Sequence, residues 1–151
     1  MMKFSSGSEW LVISLIFFGI IFYISWRRWQ DRKWIQKRFA GREVRAMSFG
    51  VSYFGRETDP GAPRCNSGFL LLLSDGIFYR SRSAGVELEI PIPGVRRVYP
   101  DTRHKGVNLN RSVIRVEFEY EENQADTATF SVPYPPQWIR AIRKSLQGGI
   151  P

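Results

Sequence analysis

Residues 10–29 read Trp10-Leu-Val-Ile-Ser-Leu-Ile-Phe-Phe-Gly-Ile-Ile-Phe-Tyr-Ile-Ser-Trp26-Arg-Arg-Trp29. From Leu11 to Trp26 there is no charge, and only Ser14, Ser25 and the Tyr23 hydroxyl are polar. Apolar side chains fall all round the helical wheel, so no face is reserved for water. Such a helix is buried in a large protein or sits in lipid. A chain of 151 residues is too short to wrap a core around it, so lipid is the expected solvent. About 17 residues at ~1.5 Å each span roughly 25 Å, slightly less than the ~30 Å hydrocarbon core. The ends supply the remainder: Trp10, Tyr23, Trp26 and Trp29 suit the interfaces, and Arg27 and Arg28 can snorkel outward. A cleaved signal peptide is the competing reading, but it calls for small residues after the apolar run. Here Ser-Trp-Arg-Arg-Trp follows.

Charge sets the expected orientation. Residues 1–9 carry Lys3 and Glu9, whereas residues 27–45 carry eight basic and two acidic side chains. Lysine and arginine are retained on the cytoplasmic side. Residues 1–9 are thus expected outside the cell membrane, 10–28 across it, and everything from Trp29 onward in the cytoplasm. The remaining 46–151 stretch holds 13 basic and 11 acidic residues and is nearly neutral. The net charge of +8 therefore lies beside the membrane, where anionic headgroups attract it, and it does not point to nucleic acid. The tryptophans and tyrosines clustered at the span fit anchoring and not base stacking.

Residues 29–41 contain no Gly or Pro before Gly41 and are expected to continue the helix as a basic juxtamembrane segment. Arg32, Lys33, Lys37 and Arg38 are candidate contacts for anionic lipid. The plainer account is a solvated positive flank.

The period then changes from helical to alternating. Strands are expected over 43–53, 68–74, 77–81, 86–92, 95–99, 112–120 and 127–132. Asp75-Gly76 carries the sharpest hairpin signal. Pro91 confines its strand to an edge or an end. Residues 55–67 and 100–110 read as loops, the second containing Arg103, His104 and Lys105, and 121–126 reads as a turn. Val86, Leu88, Ile90 and Ile92, then Ile114, Val116, Phe118 and Tyr120, then Ala128, Phe130 and Val132 are expected inward. After Pro133, Pro135 and Pro136, residues 137–147 place Trp138, Ile139, Ile142 and Leu146 on one stripe of an amphipathic helix, which residues 148–151 follow as a tail. Many short strands with regular turns indicate a small barrel or sandwich.

Gly68-Phe-Leu-Leu-Leu-Leu-Ser-Asp-Gly-Ile-Phe-Tyr79, Glu89-Ile-Pro-Ile-Pro-Gly-Val-Arg-Arg-Val98, and Phe130-Ser-Val132 followed by Trp138, Ile139 and Ile142 together resemble the PH-like superfold. Within it they are similar to the GRAM and bacterial PH-like domains. The resemblance covers about residues 42–147. It implies a mainly β domain of seven strands, a partly open barrel or sandwich capped by a C-terminal helix. Lipid-binding PH domains concentrate basic residues after the first strand. Here that loop offers Arg56 and Arg64 beside Glu57 and Asp59, a departure from a phosphoinositide pocket.

Candidate chemistry is sparse. His104, the single histidine, has no second histidine or cysteine nearby to share a metal. Cys65, the single cysteine, forms no internal disulfide and fits a reducing compartment. Glu87/Glu89 and Glu117/Glu119 share outward strand faces and read as solvated edges. No catalytic residue, metal, cofactor or small-molecule substrate is expected. The sequence describes a non-catalytic, single-pass scaffolding or binding module, an accessory subunit to membrane-protein partners. Its candidate partner groove lies along Trp138 and Ile142. The alternative is recognition of anionic lipid by the juxtamembrane cations with Arg96, Arg97, Arg103 and Lys105.

Overall fold

The structure is a computed structural model describing residues 6–83 and 85–148. It divides into two compact units at Gly41/Arg42.

The first unit is one helix, α1 (Ser6–Arg38). Its 33 residues give about 50 Å of length, so the basic stretch after Trp29 continues the same rod, as its composition predicts. The segment is long and apolar enough to cross a membrane, and its most apolar window has no buried residue. Gly41, at a φ of 84°, lies just beyond it, in a conformation glycine adopts at little steric penalty.

The second unit is a head of seven antiparallel strands and a closing helix. The strands are β1 (Val44–Arg56), β2 (Asn66–Leu73), β3 (Gly76–Ser81), β4 (Glu87–Pro91), β5 (Val95–His104), β6 (Val107–Glu121) and β7 (Gln124–Ser131), and the helix is α2 (Pro135–Gln147). Their order in the sheet is β4-β3-β2-β1-β7-β6-β5. A short 3-10 turn, Ile92–Gly94, joins the two outermost strands.

β1 links the two halves. Its register runs with β2 from Val44 to Tyr53, but with β7 only from Ser52 to Arg56. Bulges break the β2 register between Val44 and Ala46 and between Phe49 and Val51, and Gly50 takes a φ of 69° in the second. Bulges bend a strand and add twist, which lets one strand serve both halves.

Val51, Leu70, Leu72, Ile77, Tyr79, Ile90, Val98, Ile114, Val116 and Phe130 fill the barrel, and Trp138, Ile139 and Ile142 of α2 close it. Tyr53 stacks on Phe130 at 5.1 Å and meets Tyr79 at 4.9 Å. The run 69–73 is buried at every position. α2 begins at Pro135, with Pro135 and Pro136 in its first turn, where their missing N–H groups are no loss.

Several expectations need correction. Residues 100–110 are not a loop: β5 runs on to His104, β6 starts at Val107, and Lys105-Gly106 makes the turn with φ values of 51° and 74°. Two consecutive left-handed residues match the twist of a hairpin. The hairpin signalled by Asp75-Gly76 forms, with β2 pairing β3 across it, but its turn is Ser74-Asp75, and Gly76 already begins β3 opposite Pro91. Glycine is needed there because a Cβ would lie 3.0 Å from the Ile90 carbonyl oxygen. Tyr120 is exposed, not inward. The turn expected over 121–126 is confined to Glu122-Asn123, and Asp126 lies buried in β7. Residue 84, between β3 and β4, and residues 149–151 of the expected tail fall outside the described residues.

Gly68 has the least room in the sheet: a Cβ would sit 2.0 Å from the Arg80 carbonyl oxygen. Because the obstacle is backbone, Gly68→Ala is expected to destabilise the head by about 1–3 kcal/mol. Gly148→Ala, which would meet only an atom 3.6 Å away, should leave the urea midpoint almost unchanged. Equal midpoints for the two variants would refute this packing.

Candidate functional site

At one end of the barrel the 57–65 loop is held by a polar clamp. Asp126 anchors it. Its carboxylate accepts from the Thr58 backbone N–H at 3.3 Å, the Thr58 hydroxyl at 2.5 Å and the Thr127 N–H at 2.8 Å, and Arg56 Nε lies 3.7 Å away. Asp59 accepts from the Arg56 N–H at 2.8 Å. Lys105, at the hairpin tip, reaches across with its Nζ to the carbonyls of Asp59 and Gly61. Arg115 of β6 joins Glu57 and, at 3.1 Å, Asp101. The Thr102 N–H at 2.7 Å, together with Arg115 and the Arg103 N–H, holds the Asp101 carboxyl below the usual carboxylate range.

His104 lies beneath this clamp with no exposed surface, its Nδ1 2.8 Å from the Thr129 hydroxyl. Its Nε2 is buried without a hydrogen-bond partner among the described residues. Desolvation lowers its pKa below that of a free imidazole, with Glu57 and Asp59 opposing and Arg115 and Lys105 reinforcing the shift. Above the loop is a cavity of about 410 Å³ lined by Tyr53, Gly55, Asp59, Arg64 and Lys105 among others. Its lysine is engaged by carbonyls and its aspartate faces Arg56, so the cavity is not a cluster of free cations.

The expected lipid contacts on the head are largely engaged as well. Arg96 pairs with Glu119 at 2.5 Å and Arg97 with Glu117 at 3.0 Å. Such exposed pairs contribute at most about 1 kcal/mol, but an anionic headgroup would have to displace a carboxylate from each. Arg103 is exposed. On α1, Arg32, Lys33, Lys37 and Arg38 are all exposed; Lys33 Nζ sits 3.5 Å over the Trp29 ring and Arg38 lies over Trp34. Trp10, Tyr23, Trp26 and Trp29 are exposed along the same helix, and Arg27 donates to the Tyr23 hydroxyl at 3.4 Å.

The structure places Trp138 and Ile142 in the core and not on a surface. Grooves lie on either side of α2. One, about 280 Å³, is lined by Pro100, Ser112, Pro135, Ile139, Arg140 and Arg143. The other, about 480 Å³, is lined by Met47 and Ser48 of β1 with Pro133, Tyr134, Gln137 and Ala141, and Trp138 forms part of its wall. Sequence reasoning missed Asp126 and the β1 side of this second groove.

Solved structures share this architecture at low identity. The C-terminal domain of an unknown protein from Leishmania infantum matches with a TM-score of 0.56 at 15% identity, over 77% of this chain and 97% of that one. A chain of the 8S snRNP assembly intermediate matches at 0.53 and 8%, over 69% and 82%. The Vps36 N-terminal PH domain matches at 0.53 and 11%, over 72% and 81%. No family model matches the sequence, and no curated protein does. The head therefore has a PH-like fold, a seven-stranded partly open barrel capped by a helix, and the likeness extends to fold alone.

The lowered His104 pKa gives a signed expectation. The unfolded imidazole takes up a proton near pH 6.5, before the folded one does, so the stability that depends on neutral His104 is complete above that pH. It is lost as pH falls below it. Chemical unfolding in detergent should show stability declining from pH 7.5 to 5.5, and His104→Gln should flatten that slope. A His104 pKa at or above 6.5 by proton NMR would contradict the burial argument.

Proposed function

We propose that this chain is a single-pass membrane protein whose PH-like head is a non-catalytic binding module at the cytoplasmic face of the cell membrane. The observation that carries the reading is α1. Along its most apolar window the side chains are exposed on every side, a surface that water does not tolerate and lipid does. The bias of Arg27, Arg28, Arg32, Lys33, Lys37 and Arg38 over Lys3 and Glu9 favours a cytoplasmic head. We assign the head to the GRAM or bacterial PH-like type on its Gly68–Tyr79 and Glu89–Val98 motifs. Tethering raises its effective concentration for membrane partners, which suits an accessory subunit of a membrane complex.

Recognition of anionic lipid belongs, on this reading, to the exposed cations of α1 and not to the head, where Arg96, Arg97 and Lys105 are already engaged. The compact unit 42–151 should remain unbound when floated with phosphatidylserine vesicles at physiological salt. Co-flotation would transfer that role to the head.

Alkaline carbonate should leave the full chain in the membrane pellet. Exposed Cys65 should react with a membrane-impermeant maleimide only after the cells are permeabilised. Release by carbonate would remove the anchor, and labelling in intact cells would reverse the topology.

A further inference from the structure

An antiparallel sheet that does not close leaves edges, and each edge exposes unpaired N–H and C=O groups unless it is shielded. Two edges of this head are shielded. β4 is only five residues long, carries Glu87 and Glu89 outward, and ends in Pro91. β5 lies against α2, and Arg143 caps its Val98 carbonyl at 3.0 Å. The third edge is left by the unequal pairing of β1. Residues 44–51 pair with β2 alone, because β7 joins only at Ser52 and the chain then leaves through Val132 and Pro133 into α2.

That edge faces the 480 Å³ groove between β1 and α2. Met47 is 40% exposed and Tyr134 is 72% exposed. Tyr134 is held at a φ of 55°, a left-handed conformation that is strained for an aromatic residue and concentrates at ligand clamps. Tyrosine is also a residue on which binding energy tends to concentrate.

The charges beside the groove indicate its occupant. Elsewhere on the head Arg42, Arg56, Arg80, Arg96, Arg97 and Arg115 all meet carboxylates. Residues 44–51 and 133–148 carry Arg45, Arg140, Arg143 and Lys144 and no carboxylate. Arg45 donates to the neutral Ser145 hydroxyl at 3.2 Å. Arg140 and Arg143 line the groove on the other side of α2, so the cations on this side are Arg45 and Lys144.

We infer that the open edge of β1 and its groove bind an extended, acidic segment of a membrane-associated protein by strand addition. The segment pairs with the backbone of residues 44–51 along the line that β7 leaves. Its alternate apolar side chains enter between Met47 and Tyr134, and its carboxylates meet Arg45 and Lys144. Main-chain pairing supplies affinity, and the groove and cations supply selection. A second copy of this chain fits less well, since it would bring the same cations against themselves. This inference rests on the reading of the head as a tethered binding module.

The test is site-specific photocrosslinking of the full chain in its native membranes. Benzoylphenylalanine is placed singly at Met47 or Tyr134, and as controls at Thr102 or Glu122. Adducts from the two groove positions alone are expected, to a protein segment that mass spectrometry shows to be extended-compatible and acidic. A synthetic peptide of that segment should compete, and its lysine-for-carboxylate version should not. Gln137→Glu or Lys144→Glu, both at exposed positions, should lower adduct yield at least about tenfold with unfolding midpoints unchanged. Adducts to a second copy, to lipid, or to a basic segment would overturn the inference. Adducts from the control positions alone would overturn it while sparing the binding-module reading, and none from any position would remove both.

Discussion

A strand has two edges, and the architecture of this head follows from how β1 divides its own. One edge is paired with β2 over most of its length, while the other receives β7 only near the C-terminal end. That offset carries the chain from one half of the barrel to the other, and the bulge at Gly50 supplies the bend. It also leaves room for α2 to enter the open end, where Trp138, Ile139 and Ile142 complete the core. Barrel closure and a vacant edge are two outcomes of one register.

The polar residues divide by location. At the loop end of the barrel, Asp126, Glu57, Arg115 and Lys105 spend their hydrogen-bonding capacity on holding the 57–65 segment. Buried carboxylates are tolerated only when donors surround them, and Asp126 meets that condition with Thr58 and Thr127. On the β5–β6 surface, cross-strand pairs neutralise Arg96 and Arg97. Around α2, by contrast, Arg140, Arg143 and Lys144 stand in a stretch, residues 133–148, that holds no carboxylate. A head with modest net charge can thus present a local positive field, which is what steers an acidic ligand.

Much of this was legible in the residues. The strand count and the α2 stripe follow from periodicity, the apolar span from its uninterrupted composition, and Pro91 at a strand end from its missing N–H, all of which act locally. Asp126 was also readable: it shares parity with Ala128, Phe130 and Val132, so a strand begun two residues earlier would have turned it inward. His104 was not. Register shifts between Val95 and Arg97 and between Asp101 and Arg103 reset the alternation twice before it, so no count from Val95 says which way it points. Asp75-Gly76 located the β2–β3 hairpin but misplaced its turn by one residue, because its glycine answers to the close approach of a neighbouring strand. The vacant β1 edge has no sequence signal, since it depends on where a strand eighty residues away begins to pair.

The hairpin tip bears on how this molecule varies. Lys105 occupies a left-handed position where asparagine or glycine would be more comfortable, yet only a long cationic side chain can reach the Asp59 and Gly61 carbonyls. Local backbone ease and distant loop order thus compete for a single site. A relative with asparagine there would gain a relaxed hairpin and lose its strap, and its first interstrand loop would be free to lengthen, to diversify in composition and to recruit phosphate.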